Sequence, residues 1–168
     1  MDNAGTPLLM KAELLPSEKL LQSFGANALL PVYRDAGHTG AKPYVLGASA
    51  PRKVLGMLHL TNYRMKFKPA ASAEADFSIM LPAVASIHDV SFLFVRKFRL
   101  VMHDRTHLEF LRWGILPVIS AINAARMGAG QLDWDAIGRD IANAPETLGA
   151  WSIMAPAHQP TASVASAE

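Results

Sequence analysis

The stretch VSFLFVRKFR, Val90 to Arg99, sets Phe92, Leu93 and Phe94 immediately before Arg96, Lys97 and Arg99. Apolar side chains that enter an interfacial layer while neighbouring cations hold anionic headgroups are the chemistry of peripheral adsorption to membranes. The same residues also fit a core strand, in which Phe92 and Phe94 continue the inward face of Val90, and burial is the commoner fate of aromatics. Further cations extend the basic theme. If successive strands run up and down in order, one rim collects Arg34, Lys42, Arg52, Lys53, Lys66 and Lys68 with Arg96, Lys97 and Arg99, opposed only by Asp35, Glu74 and Asp76. Such a rim focuses positive potential where polyanionic headgroups could dock, although a solvated surface without a ligand fits the same residues.

Other chemistry finds less support. The apolar alternation places His103 opposite His107 with Asp104 in the turn between them, but two imidazoles and a turn carboxylate are a weak metal set, and none is expected. The chain lacks cysteine, which removes thiolate metal sites, disulfides and cysteine nucleophiles. It also lacks a G-x-S-x-G elbow, a phosphate loop and meaningfully spaced carboxylate pairs, so neither catalysis nor a cofactor is expected. Nucleic acid is not an expected partner, because no recognised motif accompanies the basic residues.

The elements that must position these groups follow from period. In GMLHLTNYRMKFKP the apolar set switches from Leu58 and Leu60 to Tyr63, Met65 and Phe67, as strands joined by a two-residue turn require. This pairs Leu60 with Tyr63, Leu58 with Met65 and Gly56 with Phe67, and it turns His59, Arg64, Lys66 and Lys68 outward as a solvated ladder. Strands are expected over Leu20 to Arg34, Val54 to Leu60, Tyr63 to Lys68, Phe77 to Leu81, Ser86 to about Val95, Lys97 to His103 and His107 to Leu111. A helix follows through WGILPVISAINAARMG, with Pro117 in its first turn and Gly128 at its stop. A second fits DWDAIGRDIANAP, capped by Asp133, with Trp134, Ile137 and Ile141 on one face. The fold class is therefore mainly β: a seven-stranded antiparallel barrel or sandwich capped by a C-terminal helix, plus a second short helix.

At 168 residues, 51% hydrophobic and 18% charged, the composition suits one globular domain. Net charge is +2, yet residues 34 to 105 hold 11 Lys and Arg against 5 Asp and Glu. The expected organisation is an N-terminal segment over 1–13, the main domain over 14–127, an additional helix within 128–155 and a disordered tail over 156–168. MDNAGTPLLMKAELLP shows early acids and no basic leader, so the expectation is a cytoplasmic protein, peripheral to membranes at most.

GMLHLTNYRMKFK, FSIMLPAVASIHDV and FRLVMHDRTHLEFL together resemble the GRAM domain, a variant of the pleckstrin-homology fold, and most closely the form that precedes the catalytic domain of myotubularins. The resemblance spans roughly residues 14 to 126. Its most specific part is G-x-L-x-x-T-N-Y-R-x-x-F, matched by Gly56, Leu58, Thr61, Asn62, Tyr63, Arg64 and Phe67. It implies a seven-stranded barrel with a C-terminal helix that binds phosphoinositides or protein partners. Myotubularin catalysis needs a cysteine, so this chain matches only the non-catalytic module. Two functions follow: a module binding phosphoinositides or anionic membrane through the basic rim, or a protein-interaction module that uses the barrel or the Trp134 helix, including self-association through that helix.

Overall fold

A computed structural model describes residues 9, 11–30, 51–71 and 73–154. The strands are β1 (Leu20–Leu30), β2 (Arg52–Thr61), β3 (Arg64–Pro69), β4 (Phe77–Met80), β5 (Val84–Asp89), β6 (Lys97–Met102), β7 (His107–Leu111) and β8 (Trp151–Ile153). They form one eight-stranded sheet in the order β5-β6-β7-β1-β2-β3-β4-β8. The chain is mainly β, as expected, but the sheet is not closed and it has eight strands rather than seven. The eighth, β8, runs parallel to β4, with Phe77 opposite Trp151; their rings stack with centroids 4.1 Å apart.

Two helices follow β7: α1 (Ile115–Ala129) and α2 (Trp134–Asn143). Ile115, Val118, Ile122, Ala125 and Ala129 of α1 complete the main core over the apolar face of the sheet. Asp133 caps α2 as expected, accepting from the Ala136 N–H at 3.0 Å. The apolar stripe of α2 packs within its own chain, where Ile137 and Ile141 join Leu15, Tyr63 and Met80 in a second, smaller core. The Trp134 helix is therefore spent on this fold, and its stripe is not free for self-association. The expected tail over 156–168, and Arg34 and Lys42 of the expected rim, lie outside the described residues.

The β2–β3 hairpin keeps the expected core face but shifts its register by two. Leu60 pairs with Met65, Leu58 with Phe67 and His59 with Lys66, which moves the turn to Asn62 and Tyr63. A two-residue shift leaves every side chain on its face, so Leu58, Leu60, Met65 and Phe67 are all buried. Gly56 allows the close approach of Phe67: a Cβ there would lie 2.6 Å from its ring and 2.4 Å from the Lys68 carbonyl oxygen.

The opposite face departs from the solvated ladder. His59, Arg64 and Lys66 are all buried, Lys66 with 1% of its surface exposed. Residues 11–18, α2 and the turn Pro145–Leu148 cover this half of the sheet, and each buried cation has a carboxylate partner. Lys66 pairs with Asp76, and burial pulls its ammonium below the ordinary lysine value against that partner's opposing pull. Gly149 closes over the pair at φ 89, where a Cβ would meet the Asp76 carboxylate and main chain and the Lys66 ammonium. Gly149→Ala therefore forces both a left-handed alanine and a backbone shift, and should cost about 1 to 3 kcal/mol in urea unfolding.

The Thr61-Asn62-Tyr63-Arg64 turn is a structural joint. Thr61 Oγ1 accepts from the Tyr63 and Arg64 N–H groups, at 3.1 and 2.9 Å, and donates to Glu18 at 2.8 Å. Asn62 Oδ1 accepts from the Lys19 N–H at 2.7 Å, and the Tyr63 hydroxyl donates to the Pro16 carbonyl at 3.0 Å. The most specific residues of the motif thus bind the chain's own segment 15–19.

Candidate membrane-contact site

β5 and β6 are joined by a narrow hairpin extension. The Val90 N–H donates to the Lys97 carbonyl, and Phe92 and Val95 exchange backbone hydrogen bonds at 3.0 and 2.9 Å, leaving Leu93 and Phe94 as the two-residue tip. The Asp89 carboxylate accepts from the Ser91 N–H at 2.9 Å and orders the base of the extension. Hydrogen bonds from the Ser91 side chain and N–H, with Arg96 nearby, hold its pKa below the ordinary aspartate value.

The tip does not fill the core. Phe92, Leu93 and Phe94 are 71%, 73% and 88% exposed, and Val95 is exposed as well. The core-strand alternative is thereby corrected: the chain leaves the sheet after Asp89, before the aromatics could follow Val90 inward. Leu93 sits at φ 51, in the left-handed region where a Cβ is disfavoured by roughly 1 to 2 kcal/mol. Glycine or asparagine would relax this turn, but leucine occupies it, with its apolar side chain 73% exposed. The Arg112 N–H donates to the Arg96 carbonyl, which extends the β6–β7 ladder by one pair and puts Trp113, 74% exposed, next in the chain at the same end of the sheet. The four exposed apolar residues of the tip and Trp113 thus lie at one end of the sheet with the exposed Arg96.

The rim cations divide into three groups. Lys66 and Lys68 do not join the rim: Lys66 is buried against Asp76, and half-buried Lys68 pairs with Glu13 under the N-terminal segment. Lys97 and Arg99 both donate to Glu109, at 3.0 and 2.6 Å, a partner absent from the sequence estimate of opposing charge. Arg52 meets Glu74 at 3.3 Å on the surface. Among the described residues, Lys53 and Arg96 form no salt bridge. Pairing aligns Arg99, Glu109, Leu29 and Lys53 across β6, β7, β1 and β2, so Lys53 stands about 14 Å from Arg99 along the ladder. Among the described residues, the expected rim does not form as one: Arg96 and Lys97 stand at the start of β6 beside the tip, Lys97 and Arg99 are partly neutralised, and Arg52 and Lys53, in the rows of Leu30 and Leu29, lie three strands away and farther from the tip along the sheet.

Burial raises the Glu109 pKa, but hydrogen bonds from Arg99 and Lys97 outweigh it and hold the carboxyl below its ordinary value of 4.5. A depressed carboxylate contributes stability above its unfolded value and loses it as pH falls through the folded one. The stability gap between the parent and Glu109→Gln should accordingly be widest at neutral pH and close below about pH 4.5, measured by urea unfolding across that range.

The histidine pair is not assembled. His107 lies opposite Val101, because the β6–β7 register is also shifted by two, and exposed His103 sits in the turn. Asp104 accepts there from the Thr106 N–H and hydroxyl, at 3.0 and 2.5 Å, which is an ordinary turn role. Among the described residues, no helix is long and apolar enough to cross a membrane.

No family model matches this chain, and neither does any curated protein. Among solved structures, the C-terminal domain of an unknown protein from Leishmania infantum is similar at a TM-score of 0.49 and 18% identity, over 67% of this chain and 87% of that one.

Proposed function

We propose that this chain is a non-enzymatic, pleckstrin-homology-like module of the GRAM type that docks on anionic membrane. The carrying observation is the exposed Phe92-Leu93-Phe94-Val95 tip beside Trp113 and Arg96. Monomeric soluble proteins rarely leave large apolar groups clustered at a protrusion, and an exposed cation such as Arg96 next to that cluster fits a surface that is apolar below and anionic above. The resemblance of Gly56 to Phe67 to the GRAM motif supports the fold assignment, and the order of seven strands followed by α1 is consistent with it. Its motif residues support no headgroup site, since they are consumed by the joint to residues 15–19.

Sedimentation with vesicles tests this reading. Binding should appear with phosphatidylserine in a phosphatidylcholine background and be weak without it; a phosphoinositide arm reports headgroup preference. Arg96→Glu reverses the exposed cation beside the tip, a change of two charges at about 1 kcal/mol each near an anionic surface. Affinity should fall by at least an order of magnitude and the residual salt dependence should flatten. Arg105→Glu, in the turn at the other end of β6, is the matched control. No binding by the parent to acidic vesicles rejects the proposal and favours the protein-interaction function.

A further inference from the structure

We infer that the outer face of α1 is a second bilayer contact, so that the domain lies along this helix rather than touching the membrane through the hairpin tip alone; this rests on the membrane reading above. The sequence of α1, ILPVISAINAARMGA, carries one charged residue, Arg126, whose guanidinium turns aside to donate to the Ala85 carbonyl at 2.7 Å. Leu116, Pro117, Ser120, Ala124, Met127 and Gly128 are exposed on one arc of the helix, and none is charged. A helix that meets water on its outer face ordinarily carries charge there. Here Leu116 is 69% and Met127 80% exposed. An open groove of about 340 Å³ between α1 and the start of β1, with Leu21, Ala121, Ala124 and Leu132 in its walls, extends the same uncharged surface.

Two observations name a bilayer as the occupant. The first is continuity: exposed Trp113 and Leu116 join the end of β7, hydrogen-bonded through Arg112 to the base of the hairpin tip, to the exposed arc of α1, and indole is the side chain best suited to the boundary between headgroup and acyl chain. The second is charge. Residues 90–103 and 110–132, which build the tip and α1, contain five cations and no Asp or Glu; Glu109 pairs with Lys97 and Arg99, which leaves Arg96, Arg112 and Arg126. Arg112 and Arg126 bind backbone carbonyls, at 2.6 and 2.7 Å, so their charge is not cancelled within the chain. An isologous contact between two copies would bring these cations against their own equivalents, which opposes association. An acidic lipid surface meets the apolar arc and neutralises the cations together.

The chain has no cysteine, so single introduced cysteines can be labelled uniquely. Leu93→Cys at the tip, Met127→Cys about 18 Å along α1 from Ile115, and Arg139→Cys on the exposed side of α2 would each carry an environment-sensitive fluorophore. With phosphatidylserine-containing vesicles, positions 93 and 127 should shift to the blue and be quenched by spin-labelled lipid, while 139 stays unchanged. If 93 responds and 127 does not, the helix contact is wrong and the membrane reading stands. Silence at both positions overturns both. A response at 127 without vesicles, accompanied by a doubled mass in light scattering, assigns the face to a second copy and overturns the inference. Independently, Ser120→Asp with Met127→Asp should weaken vesicle partitioning at least about tenfold, with an unchanged melting curve because both positions are exposed. Parent-like partitioning would also overturn it.

Discussion

Arg64→Leu should lose about 3 to 5 kcal/mol of stability, the range for breaking a buried ion pair by removing one partner. All five guanidinium donors are used. Nε donates to Glu18 Oε1 at 2.8 Å, and one terminal nitrogen donates to Glu18 Oε2 at 3.2 Å and to the Glu13 carbonyl at 2.7 Å. The other reaches Ser78 Oγ at 3.1 Å and the Thr147 carbonyl at 2.6 Å. Both charged side chains are fully buried, so leucine would strand the Glu18 carboxylate without water or a counter-charge. The loss is a large fraction of the roughly 5 to 15 kcal/mol that holds a domain together. Arg64→Lys should recover little, because an ammonium has three donors and cannot reproduce the planar fork. Arg64→Leu combined with Glu18→Leu should be markedly more stable than Arg64→Leu alone, since the stranded charge is gone. Urea unfolding of the parent, Arg64→Leu, Glu18→Leu and the double variant closes the cycle, and a loss below about 1 kcal/mol for Arg64→Leu would show that the joint is not the clamp described.

That joint also marks where the sequence stopped being legible. Alternation separates the two faces of β2 and β3, and the buried set Leu58, Leu60, Met65 and Phe67 follows from it. Alternation cannot tell which face meets water. A strand face bearing Arg64, Lys66 and Lys68 has the same local pattern whether it is solvated or covered, and the cover comes from Glu13 and Glu18 on one side and Thr147 on the other, far away in sequence. Asp133 as a cap, together with Ile137 and Ile141 at helical spacing, did reveal α2, because capping and periodicity are local. The sheet onto which it docks is not. Trp151–Ile153 escaped notice because three residues are too few to display a period, and their pairing with β4 is set by contacts made around Asp76 and Gly149.

The hairpin tip failed in the opposite direction. Phe92 and Phe94 alternate as core residues do, and only the departure of the chain from the sheet after Asp89 exposes them. The cations of the rim were legible as residues but not as free charges, since Glu109 lies on a strand that sequence order places after them yet pairing places beside them. Charge alone therefore overstated the site, and apolar exposure, which the sequence hid, now carries most of it.

A variant combining Phe92→Ser, Leu93→Gly and Phe94→Ser should consequently lose more membrane binding than reversal of Arg96. Full burial of a large apolar side chain contributes about 1.5 to 3 kcal/mol; entry into an interface gains part of that, about 1 kcal/mol each. Three such losses correspond to about two orders of magnitude in partitioning. Stability should move the other way at one position, because glycine relaxes the φ 51 that Leu93 holds under strain. Leu93→Gly alone should therefore bind acidic vesicles more weakly while melting at the same temperature or higher, an opposition that general damage to the fold cannot produce. The salt response adds a further distinction: cation variants should flatten the dependence on ionic strength, whereas the tip variant should keep the parent's slope at lower affinity. Parent-like sedimentation of the folded triple variant with phosphatidylserine vesicles would remove the tip from the interface, and the exposed Trp113 and α1 face would then have to account for any binding that remained.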